Sequence, residues 1–88
     1  MKATSEMILR EIAGEKILIP VGKTAMKIHG MINLSESGYL LWSRLQNECT
    51  EKELVDAILS EYDIDRQTAI CDVRTFLDQM RSVGILEE

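Results

Sequence analysis

The sequence predicts an α+β domain in which a small antiparallel sheet precedes three helices. Two observations carry this. The first third alternates in short apolar runs at period two, and from Ser35 onward three segments each open on a helix-capping residue and repeat their apolar positions at a 3.6-residue period. The 88 residues suffice for one domain, 1–88. A chain of this size buries about 60% of the surface that its unfolded form exposes, enough for one small core.

The strands come first. "MILREIA" (7–13) and "KILIP" (16–20) are short and rich in isoleucine and leucine, with Gly14-Glu15 as the hairpin turn between them. Pro20, Val21 and Gly22 end the second strand. From Met26 the alternation resumes. Met26, Ile28, Gly30, Ile32 and Leu34 take the core face, and Lys27, His29, Met31 and Asn33 the more exposed one. The third strand is thus an edge of a three-stranded meander, with Gly30 in its interior.

The helices follow. Ser35 caps the first, Glu36 suits the dipole in its first turn, and Gly38, Leu41, Trp42 and Leu45 share a face with Leu34, which is placed to pack on Tyr39. Thr50-Glu51-Lys52-Glu53 is a capping box that opens the second helix, with Leu54, Val55, Ile58, Leu59 and Tyr62 inward. Asp65 caps the third (66–83), whose stripe is Ala69, Ile70, Val73, Phe76, Leu77, Met80 and Val83. Gly84 ends it, and Ile85 folds back on Met80.

Composition excludes several function classes. No apolar run approaches the ~18 residues of a membrane span, and the N-terminus lacks a signal-peptide core, so a cytoplasmic, membrane-free protein is expected. Cys49 and Cys71 are expected as reduced thiols. Net charge is −5, but residues 1–34 hold five basic and three acidic side chains while residues 35–88 hold five and twelve. The acidic half disfavours nucleic acid as a partner. The third helix sets Arg66, Arg74 and Arg81 against Asp65, Asp72 and Asp78, a poor recognition helix for a winged-helix DNA-binding regulator.

Nothing converges for catalysis. The single histidine, His29, has no nucleophile or carboxylate at a telling spacing, and with Cys49 and Cys71 it forms no metal-ligand pattern. "PVGKTAMK" contains Gly-Lys-Thr but lacks the first glycine of a phosphate loop, and a strand rather than a helix is expected after it. The acidic run Glu51, Glu53, Asp56, Glu61 and Asp63 reads as a solvated face, or as a dock for a basic partner. A non-enzyme without cofactor or metal is expected.

The open edge is the remaining feature. An unpaired strand is a template for another chain, and a glycine within it marks either a bulge or the close approach of a second backbone. On the long helix, Arg74 and Arg81 fall on one flank of the apolar stripe with Asp78 beyond, either as solvated side chains or as the grip on a bound peptide's carboxylates. A scaffold that pairs this edge with its own copy, as a homodimer, is the competing reading.

"LREIAGEKILIPVG", "GMINLSESGYLLW" and "CTEKELVDAILSEYDIDRQTAICDVRTFLDQMRSVGIL" together resemble the PqqD family of pyrroloquinoline quinone synthesis, over residues 7–87. The pattern lies in Gly30-Met31, Leu34-x-x-x-Gly38, Trp42, "EYDID" and the closing "GIL", with Ser35 where the family often has asparagine. The resemblance implies a winged-helix-like, non-catalytic module of pathways that modify ribosomally made peptides. Such a module binds a precursor's leader region as an added strand and presents it to a modifying enzyme, often a radical S-adenosylmethionine protein. Carried onto this chain, the ladder falls to Lys27, Ile28, His29, Gly30, Met31, Ile32, Asn33 and Leu34, and the facing wall to Arg74, Leu77, Asp78 and Arg81.

Overall fold

The computed structural model describes residues 1–28 and 30–88; His29, expected on the third strand, lies outside the described residues. In chain order the elements are β1 (Lys2–Ala3), β2 (Met7–Ile12), β3 (Glu15–Pro20), α1 (Thr24–Lys27), β4 (Ile32–Leu34), α2 (Glu36–Arg44), α3 (Glu51–Glu61), α4 (Arg66–Ser82) and β5 (Leu86–Glu87). β2, β3 and β4 form an antiparallel sheet in that order, followed by the helices, as the sequence predicts.

The β2–β3 hairpin pairs Ile12 with Glu15 and Met7 with Pro20. Its turn is Ala13-Gly14, one residue earlier than the predicted Gly14-Glu15. Both turn residues have positive φ, 53° and 82°, the backbone of a type I′ turn whose twist matches the strands. Alanine is a poor occupant there because its Cβ crowds the carbonyl in the left-handed region.

The third strand is much shorter than expected. Residues 24–27 form a helical turn, closed by the Ile28 N–H donating to Thr24 O at 2.9 Å. Met26, expected inward, is 80% exposed. The cause is not local. The Glu6 carboxylate accepts from the Lys23 N–H at 2.6 Å and the Glu6 carbonyl from the Val21 N–H at 2.9 Å, so a residue far back in the chain fixes the bend ahead of α1. Gly30 is exposed with φ 103°, and a Cβ there would meet nothing within 4 Å. Its service is therefore conformational: it turns the chain into β4 through a backbone state that side chains resist.

The helices begin where the sequence places them. Ser35 Oγ accepts from the Gly38 N–H at 3.1 Å, Thr50 and Glu53 complete a reciprocal capping box, and Asp65 Oδ1 accepts from the Thr68 N–H at 3.0 Å. α4 ends as expected, with the Ile85 N–H reaching back to Met80 O at 3.1 Å and Ile85 fully buried. Leu18 of β3, Leu41 of α2, Leu54 and Ile58 of α3, and Val73 and Leu77 of α4 form one core with Trp42, Leu45 and Ile85. Each large side chain buried this way contributes about 1.5–3 kcal/mol.

The two-residue β1–β5 ladder pairs Lys2 with Glu87 and Ala3 with Leu86. Bonds from the Ala3 N–H to Leu45 O (2.8 Å) and from the Cys49 N–H to Met1 O (2.9 Å) tie it to the α2–α3 connection. Strands this short carry no periodicity, which is why the sequence did not reveal them. Asp56 joins α3 to α4, accepting from Lys52 at 3.0 Å and from Arg66 at 3.1 Å. Those bonds hold its carboxyl below the usual aspartate range.

Two outcomes follow for stability. Ala13→Asn, better suited to positive φ, should stabilise the hairpin by about 1 kcal/mol and raise Tm by roughly 4–8 °C; an unchanged Tm would show that the turn is relaxed with alanine. Because the folded-state pKa of Asp56 is lowered, its contribution is present above the ordinary value of about 3.9 and lost as pH falls through the folded value. Thermal melts between neutral and acid pH should therefore show a shallower acid decline for Asp56→Asn than for the parent protein.

Candidate functional site

β3 occupies one edge of β4, in the register Lys16–Leu34, Ile17–Asn33 and Leu18–Ile32. Among the described residues no strand lies on the other edge. Main-chain groups on that side have no ladder partner in the sheet, which makes β4 a template for an added strand.

Beside this edge runs a cleft of about 480 Å³, lined by Ile32, Asn33 and Leu34 of β4, Ser35 and Gly38 at the start of α2, and Phe76, Gln79, Met80, Ser82 and Val83 along α4. Its surface is mainly apolar, from Ile32, Leu34, Phe76, Met80 and Val83, with Asn33, Gln79 and Ser82 as polar points. That mixture suits an extended chain carrying apolar side chains. Gly38 is buried on the cleft floor. A Cβ there would lie 3.2 Å from Ser35 Oγ and at ordinary contact distance from Phe76 Cε1 (3.5 Å) and Leu34 Cδ2 (3.6 Å), so α2, β4 and α4 converge at this point.

The structure brings together part of the predicted set. Ile32, Asn33 and Leu34 line the cleft. Ile28 and Lys27 border an adjoining depression that shares Val83 with it, although Lys27 closes α1 instead of pairing in a ladder. Met31 is exposed, and Gly30 sits in the bend before β4.

The predicted helical wall lies elsewhere on α4. Arg74 donates from Nε to Glu51 of α3 at 3.1 Å, and Leu77 is buried in the core. Arg81 binds Asp78 at 3.1 Å and Glu88 at 2.8 Å. None of the four lines the cleft. The wall is the opposite flank of the same stripe: Phe76, Gln79, Met80 and Val83. At 3.6 residues per turn, Arg74 and Arg81 lie on one side of the Val73–Leu77 line and Phe76 and Val83 on the other. The stripe itself was the signal for these residues. Its period does not say which margin is covered by the α3 contact and which is left beside β4.

Among the described residues, no group of His, Cys, Asp and Glu is arranged to hold a metal ion. No helix is long and apolar enough to cross a membrane. All three arginines of α4 are engaged by carboxylates: Arg66 by Asp56, Arg74 by Glu51, and Arg81 by Asp78 and Glu88.

The fold is similar to those of known proteins. The structure of TbiB1 in complex with the TbiA(beta) leader peptide is similar at 30% identity, over 99% of this chain and 95% of that one, with a TM-score of 0.79. Lasso peptide synthetase B1, complexed with its leader peptide, shares the fold at 15% identity, over 99% and 96% of the two chains, with a TM-score of 0.76. A search of curated protein sequences finds no match. The family model for coenzyme PQQ synthesis protein D matches residues 15–86. The chain belongs to the PqqD family.

Proposed function

We propose that this protein is a non-catalytic recognition module that captures the leader region of a ribosomally made precursor peptide and holds it for a modifying enzyme. The peptide adds as a strand to the outer edge of β4 and lays its apolar side chains into the cleft against α4. The open edge of β4 alongside Phe76, Met80 and Val83 is the observation that carries this reading. Main-chain bonds supply affinity and the apolar cleft supplies selection.

Family membership and the likeness to TbiB1 support the same reading, as does the pairing of every arginine on α4, which leaves that helix poorly suited to phosphate backbones. A radical S-adenosylmethionine enzyme is the class put forward for the receiving partner. Pairing of two copies through β4 would compete for the same edge.

The test is titration of isotope-labelled protein with a synthetic leader segment from the precursor peptide of its pathway. Amides of Ile32–Leu34 and methyl groups of Met80 and Val83 should shift; shifts confined to α3 would overturn the proposal. Val83 is 37% exposed, so Val83→Glu should leave the fold intact. A carboxylate in the apolar cleft should weaken binding about tenfold or more, the equivalent of about 1.4 kcal/mol. Arg74→Ala and Arg81→Ala, outside the cleft, should each change affinity by less than about twofold. A large loss in those variants and none in Val83→Glu would place the peptide on the other flank of α4.

A further inference from the structure

The two ends of the cleft differ in charge, and a strand added to β4 has a direction. We infer that the cleft selects an extended peptide bearing lysine or arginine on the amino-terminal side of its apolar stretch, and is indifferent to charge at the other end. This rests on the strand-addition reading above and adds to it a rule about ligand sequence.

At the Leu34 end, a depression sharing Asn33 and Leu34 with the cleft is bordered by Glu11, Glu15, Lys16, Glu36 and Tyr39. Lys16 is already taken: it bonds Glu11, and its ammonium sits 5.0 Å from the centre of the Tyr39 ring. Glu15 and Glu36 have no cationic partner among the described residues. On the opposite rim, a second depression shares Ser35, Gly38, Phe76 and Gln79 with the cleft and is bordered by Asp72, likewise without a cation among the described residues. Glu36 and Asp72 therefore stand on the two sides of this end, while Glu15, at the start of β3, lies across β4 from the open edge. At the Val83 end, Lys23 and Lys27 face Glu6 and Glu87, so the charges there balance.

β4 runs from Ile32, at the Val83 end, to Leu34 and then Ser35, and the sheet is antiparallel throughout. A strand continuing that pattern enters beside Leu34 and leaves past Ile32. Its amino-terminal side chains thus pass between Glu36 of α2 and Asp72 of α4. The carboxylates alone make no site; the open edge and apolar cleft hold the peptide, and the charges choose among peptides that fit.

The test selects binders from a random-peptide display library. A binder carrying a basic residue upstream of its apolar stretch is then compared with its Lys→Gln analogue, by fluorescence anisotropy, on the parent protein and on a Glu36→Gln, Asp72→Asn variant. The parent should prefer the lysine peptide about threefold to tenfold at low salt, and the preference should fade at high salt. It should vanish in the variant, with affinity for the glutamine analogue unchanged. Binders that shift the Ile32–Leu34 amides but have no upstream basic residue, or show equal affinity for both peptides, would overturn this inference and leave strand addition standing. A basic residue on the downstream side would overturn it by showing a parallel strand. No binders, or binders that leave those amides unmoved, would overturn the strand-addition reading and this inference with it.

Discussion

The function proposed for this protein depends on main-chain hydrogen-bonding capacity left open along three residues, Ile32–Leu34. An isolated three-residue edge would be a weak template, since each bond made with a peptide replaces one made with water and nets only about 0.5–1.5 kcal/mol. The neighbouring α4 changes that balance. Placing Phe76, Met80 and Val83 beside the edge lets an incoming strand remove apolar surface from water while it pairs, so that ladder and burial act on the same segment. At Gly38 the start of α2 sits against both Leu34 and Phe76.

The surroundings hold this arrangement in place. Glu6 pins the turn before α1, Gly30 redirects the chain, and β4 then runs directly into the Ser35 cap of α2. Arg74 and Arg66 brace α4 against α3 through Glu51 and Asp56, on the side away from the cleft. The arginines of α4 thus lie outside the cleft, each paired with a carboxylate. Cys49 is buried near the N-terminal segment, where burial raises its thiol pKa.

What could be read from the sequence was what is decided locally. Ser35, Thr50 and Asp65 cap helices because each side chain satisfies a backbone N–H three residues on, and that chemistry is written in a few adjacent positions. Ile32, Asn33 and Leu34 were legible as an edge for a similar reason: alternation leads straight into a cap. Met26 and Lys27 read as strand because Met26 and Ile28 alternate, while Glu6, distant in sequence, holds the Lys23 N–H ahead of a helical turn. The sequence places the helical wall on the Arg74–Arg81 flank and the cleft lies along the other, because a helical stripe has two margins and only the packing of α3 and β4 distinguishes them.

The central claim is tested most directly by isotope-filtered nuclear Overhauser measurements on the complex of labelled protein with an unlabelled leader peptide. Cross-strand contacts between the peptide backbone and Ile32–Leu34, in an antiparallel pattern and accompanied by contacts to Phe76 and Val83, are the predicted result. Contacts from the peptide to the outer edge of β2, with β4 untouched, would contradict it.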